Sequence, residues 1–289
     1  MELNLEEEVR RGYTITHEMK RLWDVQLRLL SKLIDVCQKN NLKVFATGGT
    51  LIGAVREKGY IPWDDDIDVV MLRPDYDKLI EISSTEFESP FFFQCAYTDQ
   101  GYFRGHAQLR YDHTMAALPY DMKRKRKFHQ GIFIDIFVMD GVPEKDSDRK
   151  KLASLQKTVL NFLWMRYNPE EREYLPFLKN CIKLGLKVFW NDNRLYKYLE
   201  DQCRKYPVSF SRLVGPVLFK PLRESSYYKK EWYSQVVYVP FENISMPIPC
   251  EYDELLRHRF GDYMTPQQAP TLHGDLVWSV DDDYVDRLK

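Results

Sequence analysis

The sequence predicts a mixed α/β (α+β) fold in which a mixed sheet is flanked by helices and followed by a helical extension. Three observations predict it. One long helical pattern opens the chain, short apolar runs typical of strands continue to residue 139, and residues 150–206 have a mostly helical composition. We expect a core domain over residues 1–145 and a helical and mixed C-terminal part over residues 146–289, packed on that core.

The first elements follow from periodicity and turn residues. Apolar residues recur at helical spacing from Ile15 to Cys37, which predicts a long helix. A short strand over residues 43–46 then runs into a turn at Gly48 and Gly49, and residues 50–56 form a short helix. Further elements are predicted at these positions: strand 64–71, helix 75–82, and strands 91–96, 106–111 and 131–139 of the same sheet.

Composition excludes several classes of protein. A formal net charge of -1 argues against a general nucleic-acid binder, so we expect no nucleic-acid partner. The cysteines are scattered and form no CxxC pair, which predicts neither a disulfide framework nor a zinc site. The acidic N-terminus lacks a cationic segment followed by an apolar run. We therefore expect a cytoplasmic protein.

No uninterrupted apolar run reaches the roughly 18 residues that a membrane-spanning helix needs. The nearest candidate, residues 177–190, carries three lysines in one stripe at helical spacing beside an apolar stripe. Two interpretations stay open for this segment. It is a helix packed on the domain, or a helix that lies on an anionic membrane surface.

Two aspartates in the predicted strand 64–71 suggest a metal site. Side chains alternate faces along a strand, so Asp66 and Asp68 are expected on one face and Ile67 on the other. Carboxylates held side by side repel each other, and a hard cation such as Mg²⁺ stabilises both in the ionised form. Asp64 joins them if the strand begins early.

The glycine pair lies shortly before these carboxylates. Because glycine lacks Cβ, the backbone N–H groups of Gly48, Gly49 and Thr50 can approach a phosphate closely at a helix N-terminus. A third carboxylate, Asp135, lies within the apolar run GIFIDIF, where an acidic residue needs a partner. It would complete a site for two metal ions roughly 4 Å apart. The alternative for Asp135 is a structural hydrogen bond to nearby backbone.

At these residues the sequence resembles the LicD family of phosphotransferases, which is related to the fukutin-type proteins and lies within the nucleotidyltransferase superfamily. The resemblance rests on GGTLIGAVR at 48–56, GYIPWDDDID at 59–68, GIFIDIF at 131–137 and FGDYM at 260–264. It implies a nucleotidyltransferase-type catalytic core over residues 1–145.

The resemblance also implies an activity. A substituted phosphate, such as phosphocholine or a phospho-alditol, would pass from a CDP-linked donor to a sugar hydroxyl of a cell-surface glycan, with release of CMP. The implied acceptors are lipopolysaccharide, capsular polysaccharide, teichoic acid or their lipid-linked precursors. The implied cofactor is Mg²⁺ or Mn²⁺, as two ions, held by Asp64, Asp66, Asp68 and Asp135. As a further hypothesis, Asp135 takes the proton of the acceptor hydroxyl.

Other residues have both a functional and a structural interpretation. Arg56 and Arg110 bind phosphate oxygens or form ion pairs. Trp63 stacks on the nucleotide base or packs beside its neighbouring proline. By resemblance, His273 and Asp262 are weaker candidates for the site.

The basic run at residues 123–127 attracts an anionic lipid-linked acceptor or the inner face of the membrane, or it is a solvated loop.

Three other functions compete with phosphotransfer. A nucleotidyltransferase would move the nucleotide from an NTP and release pyrophosphate, with the same core. A glycosyltransferase is disfavoured, because its nucleotide-binding βαβ unit would normally precede the acidic motif by far more chain. A cation-stabilised binding protein without turnover is disfavoured by the intact aspartates.

Overall fold

The computed structural model describes residues 2–123, 125–166, 191–219, 224–268 and 276–287. Its strands, numbered along the chain, are β1 (Glu8–Arg10), β2 (Tyr13–Ile15), β3 (Phe45–Ala46), β4 (Asp68–Leu72), β5 (Phe91–Gln94), β6 (Ala107–Tyr111), β7 (Met115–Ala117), β8 (Phe133–Gly141), β9 (Leu213–Gly215), β10 (Tyr228–Lys229), β11 (Val236–Phe241), β12 (Ile244–Pro249) and β13 (Val277–Ser279).

The α-helices of the described ranges are α1 (His17–Lys39), α2 (Gly48–Ile52), α3 (Arg73–Glu86), α4 (Pro119–Lys123), α5 (Asp146–Arg166), α6 (Asp192–Arg204), α7 (Tyr252–Phe260) and α8 (Tyr284–Arg287). A π-helical turn over Gly53–Glu57 extends α2. None of the helices in these ranges has the length and apolar character needed to cross a membrane.

A mixed sheet organises the fold, and β8 is its centre. On one side β8 pairs in parallel with β4, which pairs antiparallel with β3. On the other side, the first half of β8 pairs antiparallel with β6, and β6 with β5. The last residues of β8 pair with β9, which carries β10 at the edge. The predicted mixed sheet flanked by helices is thus confirmed.

The predicted elements of the first half are present, with shifted boundaries. The long helix is α1, where the Thr16 hydroxyl accepts the Met19 N–H at 3.2 Å and caps the first turn. Its inner face buries Leu22, Trp23 and Leu30 against the sheet. The strand predicted at 64–71 begins only at Asp68 in the structure, so the prediction was wrong by four residues at this end.

The C-terminal part contributes to the same sheet. Strands β9 and β10 lie beyond residue 145 and extend the sheet from β8, while β12 packs next to β3. Strand β13 pairs with β7. The stretch predicted to be helical contains α5 and α6, and residues 177–190, the amphipathic candidate, lie outside the described residues.

A buried ion network closes the end of the sheet where β4 and β8 terminate. Arg73, the first residue of α3, donates to both carboxylate oxygens of Asp140 at 2.7 Å. It also donates to Glu200 of α6 at 3.1 Å. All three side chains are at least 93% buried. The network therefore joins two helices to the sheet at the end remote from Asp68.

His129 is held in one neutral form just before β8. The Gly131 N–H donates to its Nδ1 at 3.1 Å, so the ring proton lies on Nε2, which donates to Asp112 at 3.0 Å. Burial lowers the pKa of His129 below its usual value. A second ring proton would break the bond to Gly131.

Candidate active site

The glycine pair sits directly against two aspartates. Gly48 and Gly49 are the first two residues of α2, so the expected turn is already the start of the helix. A Cβ on Gly49 would lie 2.6 Å from Oδ2 of Asp64, and one on Gly48 would lie 3.4 Å from Oδ2 of Asp68. Gly48 also adopts a left-handed φ of 58°. The missing side chains therefore make room for these carboxylates.

The acidic loop before β4 is tied to α1 through its backbone. The Trp23 indole N–H donates to the Asp64 carbonyl at 3.0 Å, and the Gln26 amide donates to the Asp65 carbonyl at 2.8 Å. Tyr60 donates to the Gln26 side-chain oxygen at 3.1 Å and stacks on Trp23 with ring centroids 4.3 Å apart. These contacts fix the position of the loop from a buried helix face.

The acidic loop gathers three carboxylates. Oxygens of Asp64, Asp65 and Asp66 all lie within 4.8 Å of one another. Sequence reasoning missed Asp65, because strand alternation would turn it away from its neighbours. These residues precede β4 and have no strand geometry, so alternation does not apply to them. The run of three consecutive aspartates was the available signal.

Asp68 and Asp135 lie opposite each other on parallel neighbouring strands, as direct partners in the register of β4 and β8. The Thr50 hydroxyl, which is buried, accepts the Asp68 N–H at 2.9 Å. Thr50 therefore orients the start of β4 from within α2. The structure brings together the two glycines, Thr50 and the predicted aspartates at one end of the sheet.

Asp135 is 7% exposed and has two polar neighbours that sequence reasoning missed. Its Oδ1 accepts a hydrogen bond from the Gln108 amide at 2.6 Å and lies 3.1 Å from Nε2 of His106. Tyr102 lies 3.0 Å from the same ring nitrogen, and His106 Nδ1 lies 3.1 Å from the Arg104 carbonyl. The sequence feature that could have revealed these partners is the alternation of polar residues, His106, Gln108 and Arg110, along one predicted strand.

A pocket of about 650 Å³ opens beside Asp135. Its aromatic walls are Phe103, Phe128, Phe133 and Phe219. Arg104 and Arg126 line the same pocket next to Asp121, with which both form ion pairs. The pocket therefore combines apolar walls with charged groups next to a candidate metal ligand.

The two arginines predicted to contact phosphate are engaged within the protein. Arg56 donates to Glu57 at 2.6 Å and to the Tyr263 carbonyl at 2.7 Å. Arg110 is 2% exposed and donates to Gln108 and to the Gly131 carbonyl. Burial lowers the pKa of Arg110 to about 10. Arg56 therefore forms an ion pair, although a buried one, whereas the acceptors of Arg110 are neutral oxygens and not a surface carboxylate.

The remaining candidates are Trp63, which directly precedes Asp64, together with Asp262 and His273. Trp63 is half-buried, with the edge of Tyr13 against it at 6.2 Å. Asp262 accepts from Thr265 at 2.6 Å in an exposed turn. The neighbouring Tyr263 is the residue of that motif that reaches Arg56. His273 lies outside the described residues.

The basic run is divided between surface and interior. Lys123, Lys125 and Lys127 are exposed, whereas Arg126 points inward, lies 3.8 Å from Asp121 and lines the pocket. Residue 124 lies outside the described residues. A fully solvated loop therefore does not account for Arg126.

The donor set fits a hard divalent cation. Among the described residues, the metal-binding groups that gather at the glycine pair are carboxylates, and Mg²⁺ and Mn²⁺ prefer such ligands. Without a cation, grouped carboxylates would repel one another and any phosphate substrate. The residues present therefore suit a metal-assisted reaction at phosphorus.

Comparison with known proteins relates this part of the chain to a described family. Residues 41–151, which contain the glycine pair and all the clustered aspartates, match the family model described as LicD/FKTN/FKRP, nucleotidyltransferase domain. The chain is 28% identical over 247 residues to the lipopolysaccharide cholinephosphotransferase LicD of Haemophilus influenzae, which covers 83% of this chain and 89% of that protein. It is 33% identical over 130 residues to an uncharacterized protein of Rickettsia prowazekii, covering 45% of this chain and 44% of that protein.

Proposed function

The chain belongs to the LicD family, and from this membership we propose that it transfers a substituted phosphate from a CDP-linked donor to a sugar hydroxyl of a cell-surface glycan. Phosphocholine is the first candidate for the transferred group and a phospho-alditol the second. The single observation that supports this proposal best is the alignment of Asp68 with Asp135 beside the acidic loop and the glycine pair.

In this proposal the aspartates hold Mg²⁺ or Mn²⁺, as two ions. Asp64, Asp66, Asp68 and Asp135 are the proposed ligands, and Asp65 joins them because its carboxylate lies in the same cluster. The bound ions would neutralise the charge of the donor diphosphate. Backbone N–H groups at the glycine pair, at the start of α2, are the proposed donors to the phosphates.

The reaction exchanges one P–O bond for another. The acceptor oxygen attacks the phosphorus that carries the organic substituent, and the bond from that phosphorus to CMP breaks, so CMP leaves. We assign the proton of the acceptor hydroxyl to Asp135. The pocket beside Asp135 is wide enough for the phosphate's substituent or for a sugar ring. Positioning in this site supplies most of the rate enhancement.

We further propose that the protein works in the cytoplasm at the inner face of the membrane, with a glycan or a lipid-linked glycan as acceptor. The exposed lysines at 123, 125 and 127 are the proposed contact with the anionic surface.

The test is a panel of CDP-linked donors with Mg²⁺, with and without candidate glycans, in which CMP release is measured. The control is the Asp66→Ala, Asp68→Ala double variant, with folding checked by circular dichroism. We expect CMP only from the unaltered protein, and only with one class of donor. Pyrophosphate from CTP, with no CMP from any donor, would instead support nucleotidyl transfer.

A further inference from the structure

A row of polar side chains crosses four strands of the sheet at the level of the candidate metal ligands. In the strand register Asp68 is paired with Asp135, Asp135 with Gln108, and Gln108 with Gln94. Directly paired residues share a face of the sheet. The row therefore continues from two carboxylates into two buried amides, which are 2% and 0% exposed.

Arg110 determines how both amides are oriented. It lies two residues after Gln108 on β6, hence on the same face. Its guanidinium donates to Oε1 of Gln108 at 2.5 Å and to Oε1 of Gln94 at 2.5 Å, and it is anchored on the Gly131 carbonyl at 2.6 Å. A guanidinium has only donors. Both glutamines must therefore turn their oxygens toward it and their NH₂ groups away.

The orientation of Gln108 determines its contact with Asp135. Since Oε1 of Gln108 is held by Arg110, the NH₂ group faces Asp135 and donates to Oδ1 at 2.6 Å. On the far side, Gln94 likewise donates to Asp99 at 2.7 Å. A donor fixed in this way holds the Asp135 carboxylate in one orientation, and a fixed orientation is what a metal ligand needs.

We propose that Gln108, oriented by Arg110, is a positioning residue that holds the Asp135 carboxylate ready to bind the divalent cation. This inference rests on the part of the proposed function in which the aspartates bind a divalent cation. It does not depend on the identity of the donor or the acceptor. Gln108 acts through Asp135 and is not itself assigned a contact with substrate.

The test compares Gln108→Met with Gln156→Met. Both glutamines are buried, but Gln156 lies on α5, outside the row, and donates to the Leu218 carbonyl. Mn²⁺ affinity is measured by electron paramagnetic resonance without donor or acceptor, and stability by thermal unfolding. We expect Mn²⁺ to bind about 10- to 100-fold more weakly in Gln108→Met and unchanged in Gln156→Met, with comparable losses of stability.

If Gln108→Met does not fold, Arg110→Lys replaces it, because lysine keeps the charge but lacks the fork that orients both glutamines. A folded variant of either residue that binds Mn²⁺ within twofold of the unaltered protein would overturn the inference. So would an unaltered protein that binds no Mn²⁺. A protein that binds Mn²⁺ but releases no CMP would defeat the proposed function alone.

Discussion

Gly49 lies directly against the Asp64 carboxylate. A methyl group added at residue 49 should therefore impair catalysis without lowering the stability of the fold. In Gly49→Ala the new Cβ would lie 2.6 Å from Oδ2 of Asp64, whereas ordinary contacts begin near 3.4 Å. The carboxylate must therefore retreat by about 0.8 Å. The atom displaced is the end of a side chain rather than backbone, so the fold can absorb the change.

The displacement should affect metal binding and transfer. A misplacement of about 1 Å in a catalytic group can cost about 100-fold in rate. We expect Gly49→Ala to release CMP about 100-fold more slowly and to bind Mn²⁺ at least about tenfold more weakly. Its melting temperature should be unchanged or slightly higher, because alanine is favoured over glycine in a helix by about 0.5–1 kcal/mol.

Gly48→Ala is the matched control with the opposite expectation. Gly48 has a φ of 58°, which costs an alanine about 1–2 kcal/mol, while its Cβ would make an ordinary contact of 3.4 Å with Asp68. This variant should lose stability and retain Mn²⁺ affinity. If Gly49→Ala keeps both affinity and CMP release within twofold, the placement of Asp64 at the metal is refuted.

Three further perturbations test other parts of the structure. Arg73→Met leaves the buried Asp140 unpaired and should lower the free energy of unfolding by about 3–5 kcal/mol in a urea titration, without weakening Mn²⁺ binding. The pKa of His129 is lowered in the fold, so the unfolded chain takes up the proton first as the pH falls. The free energy of unfolding should therefore decrease as the pH drops below 6.5. A His129→Gln variant with the same pH dependence would contradict this assignment. Gln26→Met removes the hydrogen-bond donor to the Asp65 carbonyl, and calorimetry should show that Mn²⁺ binds several-fold more weakly. Unchanged binding would mean that the acidic loop does not need its hydrogen bond to α1.

The sequence predicts the parts of the site that depend on local pattern. Apolar runs identify β4 and β8 as buried strands, and an aspartate in each draws attention to Asp68 and Asp135. That β4 and β8 are neighbours, with Asp68 opposite Asp135, comes from the structure. The glycine pair is equally visible, because two consecutive glycines before a short helix favour a close approach of backbone.

The parts that depend on distant contacts could not be predicted. Nothing near Asp65 in the sequence shows that its carbonyl is held by Gln26, which lies on a helix 39 residues earlier. The strand therefore appeared to begin at residue 64, and alternation turned Asp65 away. Similarly, Arg110 looks like a free cation until the register of β5, β6 and β8 surrounds it with carbonyl acceptors.

The carboxylates clustered in the acidic loop should make the protein less stable until a metal ion binds to them. Carboxylates about 4 Å apart repel by about 1 kcal/mol per pair even in water, and Asp66 has two such neighbours within 4.8 Å. Asp66→Asn should therefore raise the stability of the metal-free protein by about 1–2 kcal/mol. Mn²⁺ at 100 times its Kd should stabilise the unaltered protein by about 2.7 kcal/mol, and the variant by much less. Both shifts are measurable by thermal unfolding with and without a chelator. If Asp66→Asn instead destabilises the metal-free protein, the aspartate serves the fold rather than the cation.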